Sequence, residues 1–140
     1  MSDPTHAPLR TAVVGVGYLG RFHAQKYAQL AGSKLVGVVD ANAGACGKVA
    51  AELGTRALSD YRDLFGAVDA VSLAVPTPLH HPIGSELLRN GIDVLIEKPI
   101  ATTVSEAREL VDIARAHGRV LQVGHLERFN PAVLAAAERL

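Results

Sequence analysis

Apolar residues recur along this chain in two alternating rhythms. Short, nearly unbroken runs occur at 11–16 (TAVVGV), 35–39 (LVGVV), 70–75 (AVSLAV), 93–96 (DVLI) and 120–123 (VLQV). Runs this short and this rich in β-branched residues predict strands covered on both faces. Between them lie stretches with helical spacing. The first spans 19–31, with Leu19, Phe22, His23, Tyr27 and Leu30 near one face and Gly32 at the C-cap. The second, Ala-rich, spans 43–53 and is closed by Gly54. A third spans 79–90 and ends at Asn90-Gly91. A fourth opens on Thr103-Val104-Ser105-Glu106, a capping-box pattern, and runs to about His117 with Gly118 after it. Residues 56–58 add a short strand, and 60–65 a turn or short helix. Asn130-Pro131 reads as N-cap and first-turn proline of a last helix over 131–140.

Strands alternating with helices in this way form right-handed βαβ crossovers. The expected class is therefore α/β, a doubly wound parallel sheet with helices on both faces. We expect a flexible tail over 1–9, a domain over 10–124, and a connection with the start of a further segment over 125–140. The last helix carries no C-cap signal, so the chain reads as one cut short.

Composition narrows the field. Fourteen basic residues balance fourteen acidic ones, and there are six aromatic residues with no Trp. A neutral chain without a basic run is not expected to bind nucleic acid. No apolar run approaches the ~20 residues needed to span a bilayer, and the first ten residues do not resemble a signal peptide. The expectation is a cytoplasmic protein without a membrane partner. Cys46 is the only cysteine and is expected as a small apolar helix residue. No metal site is expected, since no His, Cys, Asp or Glu cluster has zinc-like spacing.

Gly15-Val16-Gly17-Tyr18-Leu19-Gly20 follows the first strand and opens the first helix. In that setting the three glycines suit a dinucleotide pyrophosphate. Gly15 allows the tight turn, Gly17 allows close approach of phosphate, and Gly20 allows close packing of helix on sheet. Tyr18 and Leu19 belong to the same loop. Asp40, twenty residues after Gly20, ends the second strand. Its carboxylate can accept from both adenosine ribose hydroxyls and would repel a 2′-phosphate. Ala41 and Asn42 follow it, with no Arg to neutralise such a phosphate, so NAD is expected rather than NADP. Asp40 also reads as a turn or N-cap residue.

A second constellation leaves the carboxyl ends of later strands: Pro76-Thr77-Pro78-Leu79-His80-His81, then Glu97-Lys98-Pro99. The order glycine loop with His23, then Asp40, Thr77-x-x-His80 and Glu97-Lys98-Pro99 resembles the N-terminal, Rossmann-fold domain of the Gfo/Idh/MocA oxidoreductases. The resemblance covers about residues 10–135. It implies an NAD-dependent dehydrogenase moving a hydride between a nicotinamide and a carbinol of a sugar, nucleotide sugar or polyol. Lys98 would be the catalytic group near the reacting hydroxyl, and Glu97 would hold the nicotinamide half and orient Lys98. Pro76, Thr77 and His80 would lie along the cofactor. The Asn usual after the Thr-Pro pair is replaced by Leu79, so contacts from that Asn are not expected.

The segment 124–131, with Arg128-Phe129-Asn130-Pro131, is similar to members that act as UDP-N-acetylhexosamine 3-dehydrogenases. It places His125 and Arg128 near the nicotinamide or substrate; as a plain capped loop it would leave Arg128 a surface charge. The family's second α/β domain, with its catalytic histidine, is not expected within these residues. By itself the chain is expected to bind cofactor and not to turn over substrate, and homo-oligomers are expected only with that domain. A stand-alone NAD(H)-binding or regulatory module is the alternative. Semialdehyde- and dihydrodipicolinate-type reductases share a similar glycine loop, but Glu97-Lys98-Pro99 argues against them.

Overall fold

The computed structural model describes residues 7–137. The first six residues of the expected tail, with His6, and the last three of the expected final helix lie outside them. Six strands form one parallel sheet in the order β3-β2-β1-β4-β5-β6. They are β1 (Leu9–Val14), β2 (Ser33–Val39), β3 (Arg56–Leu58), β4 (Ala70–Leu73), β5 (Asp93–Glu97) and β6 (Leu121–Gly124). The helices are α1 (Tyr18–Gln29), α2 (Ala43–Leu53), α3 (His80–Arg89), α4 (Val104–Ala116) and α5 (Pro131–Ala137). Short 3-10 turns occupy Tyr61–Leu64, Thr77–Leu79 and Leu126–Phe129.

Side chains alternate between the two faces of β1, and each face carries its own core. Val13 packs with Val38, Ala24, Cys46, Val49 and Ala50 under α1 and α2. Ala12 and Val14 join Val71, Leu73, Val94 and Ile96 under α3 and α4, capped by Leu87, Leu88 and Leu110. Helices leave β1 and β4 toward opposite faces, so the sheet has its topological switch between these two neighbours. Open α/β sheets bind ligands beyond the carboxyl ends of the strands at that point.

Local signals position the helix ends. Asn42 caps α2 by accepting from the Ala45 N–H, and Gly54 closes it in the left-handed region at φ 64°. Thr103 and Glu106 form the full capping box of α4. Asn130 accepts from the Ala132 N–H and opens α5.

Helix α1 departs from expectation in two ways. It ends at Leu30, an extended C-cap, not at Gly32. Its inward face is also not the apolar one: Gly20 and Ala24 are buried, whereas Leu19, Phe22 and Leu30 are exposed. Small residues let α1 lie against the sheet, and His23 and Tyr27 are carried inward with them. The expected strands at 11–16 and 70–75 each end two residues early, because their last residues turn into the ligand-facing loops.

Candidate cofactor site

The loop after β1 begins at Gly15, whose φ of +88° lies in the left-handed region. A side chain there would strain the backbone, and its Cβ would lie 2.7 Å from the Ala74 carbonyl. A Cβ on Gly20 would sit inside the Gly15 carbonyl oxygen, so only glycine lets α1 start this close to the loop. Nothing lies within 4 Å of where a Cβ of Gly17 would be. Gly17 is the N-cap of α1, provides no side-chain oxygen to its first turn, and no acidic residue occupies that turn. The orphan N–H groups and the positive end of the helix dipole are thus left for an anion.

Asp40 fixes this loop from the side. One carboxylate oxygen accepts from the Val16 N–H at 2.8 Å and the other from the Asn42 N–H, also at 2.8 Å. The Gly15 N–H adds a bond to the Val39 carbonyl at 2.8 Å. Asp40 therefore does serve a turn, and the helix cap falls to Asn42. Each carboxylate oxygen has about two acceptor sites, so two backbone donors leave about half of its capacity for a ligand diol.

A cleft of about 560 Å³ opens over these groups. Gly15, Gly17 and Asp40 line one side, and Pro76, Leu79 and Ile83 another. Its outer wall is Ser59, Asp60, Tyr61 and Arg62, which sequence reasoning did not single out. The signal was available: these residues follow β3, and every carboxyl end of a parallel sheet contributes to the crevice. The Arg62 guanidinium lies 4.8 Å from the Tyr61 ring centroid and is paired with Asp60 at 3.3 Å and Glu86 at 3.2 Å. The Tyr61 hydroxyl donates to Glu86 at 2.8 Å. Burial, together with that carboxylate, pushes the phenol up to about 12. An arginine thus lines the cleft that holds Asp40, although neither Ala41 nor Asn42 after it is one.

The other sequence-predicted residues distribute unevenly. Tyr18 and Leu19 are exposed on α1; Tyr18 lines a separate groove between α1 and α2. Thr77 opens the 3-10 turn after β4. His80, expected along the cofactor, is 1% exposed. Its Nδ1 lies 2.9 Å from the Pro99 carbonyl oxygen and its Nε2 2.8 Å from that of Val75. Both ring nitrogens face backbone carbonyls, which only accept, so a neutral ring donates to one and packs against the other; His80 thus spans the loop after β4 and the loop after β5.

At the end of β5, Glu97 is buried and Lys98 is exposed, and the Lys98–Pro99 peptide is cis. Glu97 accepts from His23 Nε2 at 2.8 Å and from its neighbour's N–H, Lys98, at 3.2 Å. The glycine loop after β1 and Glu97-Lys98 after β5 stand on one sheet edge, with only β4 between their strands. At ~4.8 Å per strand step this places them about 10 Å apart across the sheet. His125 and Arg128 are exposed beyond β6 and are linked to each other through a backbone bond from the Arg128 N–H to the His125 carbonyl.

The residues fit a dinucleotide: a side-chain-free loop, an uncapped helix N-terminus, and a carboxylate with spare acceptors over an open cleft. Comparison with known proteins gives the same result. Residues 9–125 match the family model of the Gfo/Idh/MocA oxidoreductases, described as an oxidoreductase family with an NAD-binding Rossmann fold. This chain belongs to that family.

Among its relatives is the UDP-N-acetylglucosamine 3-dehydrogenase of Acidithiobacillus ferrooxidans. It is 45% identical over 125 residues, which cover 89% of this chain and 39% of the relative. A solved structure of that enzyme superposes with a TM-score of 0.88 at 42% identity, over 96% of this chain and 44% of the other. An inositol 2-dehydrogenase of Rubrobacter xylanophilus is 37% identical over 134 residues, 93% of this chain and 39% of the relative. The structure of GenD2 from gentamicin A biosynthesis, in complex with NAD, aligns with a TM-score of 0.83 at 29% identity, over 89% and 36% of the two chains. The chain spans about two fifths of the length of the curated relatives it matches. It is an NAD-binding Rossmann domain of the Gfo/Idh/MocA oxidoreductases. Among the described residues, no helix is long and apolar enough to cross a membrane.

Proposed function

We propose that this chain is the cofactor-holding part of a cytoplasmic dehydrogenase. It prefers NAD(H) to NADP(H) and moves a hydride between the nicotinamide and a carbinol of a sugar, nucleotide sugar or polyol. The observation that carries this is the placement of Glu97-Lys98-Pro99 beside the glycine loop on one edge of the sheet. When bound, the nicotinamide supplies hydride transfer. The α1 N-terminus with Gly15, Gly17 and Gly20 holds the pyrophosphate, and Asp40 accepts from the ribose hydroxyls. Residues 59–62 wall the adenine end.

Glu97, held from two sides, marks the nicotinamide end. Its exposed neighbour Lys98 extends an ammonium to the reacting oxygen, where it stabilises developing negative charge or moves the proton. His125 and Arg128 stand on the adjacent strand end, on the substrate side. His80 contributes as a brace between two loops. Residues 125–140 begin the connection to a second domain. That domain completes the pocket and supports any homo-oligomer.

UDP-N-acetylglucosamine, the substrate in the name of one relative, and inositol, in the name of another, are the first substrates to test. The experiment is NADH formation by the longer protein carrying this domain. Lys98→Met should lower kcat by about 10²-fold or more, the loss expected of a proton-transfer group, with NADH affinity within threefold. Equal loss of NADH affinity would make Lys98 a cofactor contact and refute the assignment.

A further inference from the structure

His23 lies on α1 among apolar neighbours, yet its side chain is only 11% exposed and both ring nitrogens are engaged. Its Nε2 lies 2.8 Å from Glu97 Oε1, and its Nδ1 3.0 Å from the Ser72 hydroxyl on β4. The Ser72 oxygen lies in turn 2.7 Å from the Tyr27 hydroxyl, one turn further along α1. Four side chains from three elements thus make one continuous chain: Tyr27, Ser72, His23 and Glu97.

The chain has a direction. A carboxylate at Glu97 can only accept, which makes His23 Nε2 the donor. In a neutral ring that tautomer leaves Nδ1 to accept from the Ser72 hydroxyl, whose oxygen accepts from Tyr27. Every proton then points toward Glu97, and each bond polarises the next. Two more groups border the carboxylate. The Lys98 N–H donates to Oε2 at 3.2 Å. Gly124 stands opposite Glu97 in the β5–β6 ladder, and a Cβ there would come within 3.1–3.2 Å of the carboxylate atoms. Glu97 is the group so enclosed, and the chain that encloses it starts outside the cofactor cleft.

We propose that His23 is a positioning residue. With Ser72 and Tyr27 behind it, it fixes the Glu97 carboxylate in the one orientation that serves the nicotinamide end of the site. This rests on the reading of Glu97 given above, and it assigns to the ninth residue of the glycine-loop segment a role at the opposite end of the cofactor. The mechanical route is short: α1 carries the pyrophosphate site at its N-terminus and His23 one turn and a half later.

The test compares NADH with ADP-ribose, which lacks the nicotinamide, by calorimetry on the chain as described. Removing the donor in His23→Leu should raise the NADH Kd about tenfold, the weight of one charge-assisted hydrogen bond. The ADP-ribose Kd should stay within twofold. His23→Gln, which retains an N–H at the Nε2 position, should recover NADH binding to within threefold. The fluorescence of bound NADH should shift in the Leu variant and return in the Gln variant. Should His23→Leu fail to fold, Ser72→Ala reads the same route and should shift NADH but not ADP-ribose.

Glu97→Gln separates the two readings. A changed ratio of the two affinities in Glu97→Gln with no change in His23→Leu or Ser72→Ala overturns the positioning role alone. An unchanged ratio in Glu97→Gln overturns the nicotinamide reading of Glu97 and the inference with it. Equal losses for NADH and ADP-ribose in the His23 variants would make His23 a packing residue and refute the proposal.

Discussion

Removing the Asp40 carboxylate should separate the two jobs it does. In Asp40→Ala the Val16 and Asn42 N–H groups lose acceptors at 2.8 Å each. A hydrogen bond to a charged partner contributes about 1.5–3 kcal/mol, and Asp40 is half-buried, so the lower figure applies and the loss of stability is about 3 kcal/mol at most. The other half of its acceptor capacity faces the cleft. Two ribose hydroxyls at about 1.5 kcal/mol each give about 3 kcal/mol of affinity, or roughly a 100-fold rise in the NADH Kd. NADPH should behave in the opposite sense. The carboxylate that repels a 2′-phosphate is gone, and Arg62 lines the same cleft. The NADH-to-NADPH preference should therefore collapse toward unity. Calorimetric titration of both nucleotides, with thermal unfolding of the unliganded chain, measures all three quantities. An NADH Kd within threefold of the parent, with the preference intact, would refute the ribose role. A large loss of NADH affinity with the preference intact would reduce Asp40 to a loop brace.

Two further outcomes follow from local chemistry. The Ser85 hydroxyl, buried on α3, has no hydrogen-bond partner among the described residues; Ser85→Ala removes that unmet demand and adds helix propensity, so chemical denaturation should show a gain of about 1 kcal/mol, and a loss of that size would contradict it. Asp69 sits against Arg10, whose guanidinium and backbone N–H donate to it and hold its carboxyl below the ordinary 3.8. A carboxyl lowered in the folded state stabilises above the unfolded value and loses that contribution as pH falls through the folded one. The Tm gap between parent and Asp69→Asn should therefore be full at neutral pH and close below about pH 3.8; a gap that is constant down to pH 2 would refute the pairing.

The parts of the site legible in the sequence are those in which the chain answers to itself. The glycine loop, the Thr103–Glu106 box, Asn130 and Gly54 are local devices, each read from a few neighbours, and each forms as the pattern implies. The strand–helix alternation carried the sheet for the same reason. What escaped is long-range. Glu97 and His23 are 74 positions apart, and no periodicity says which buried polar group will meet which. The motif implies His80 as a ligand contact, but its buried ring nitrogens face carbonyls 5 and 19 positions away. In α1 the apolar residues misled, because two small residues at the sheet brought the helix in on a different face. Residues 59–62 carry no motif at all; only the topology brings them to the cleft.

The His80 bridge has a mechanical consequence. Standing between the Val75 and Pro99 carbonyls, a single buried imidazole spans the two loops that would flank the middle of a bound dinucleotide. Neither loop can swing without disturbing the buried ring between them. The halves of the site are then presented to a ligand as one preassembled body. Binding spends little on ordering the receptor, and amides of both loops should exchange with solvent as a single cooperative unit, not as two independent flaps.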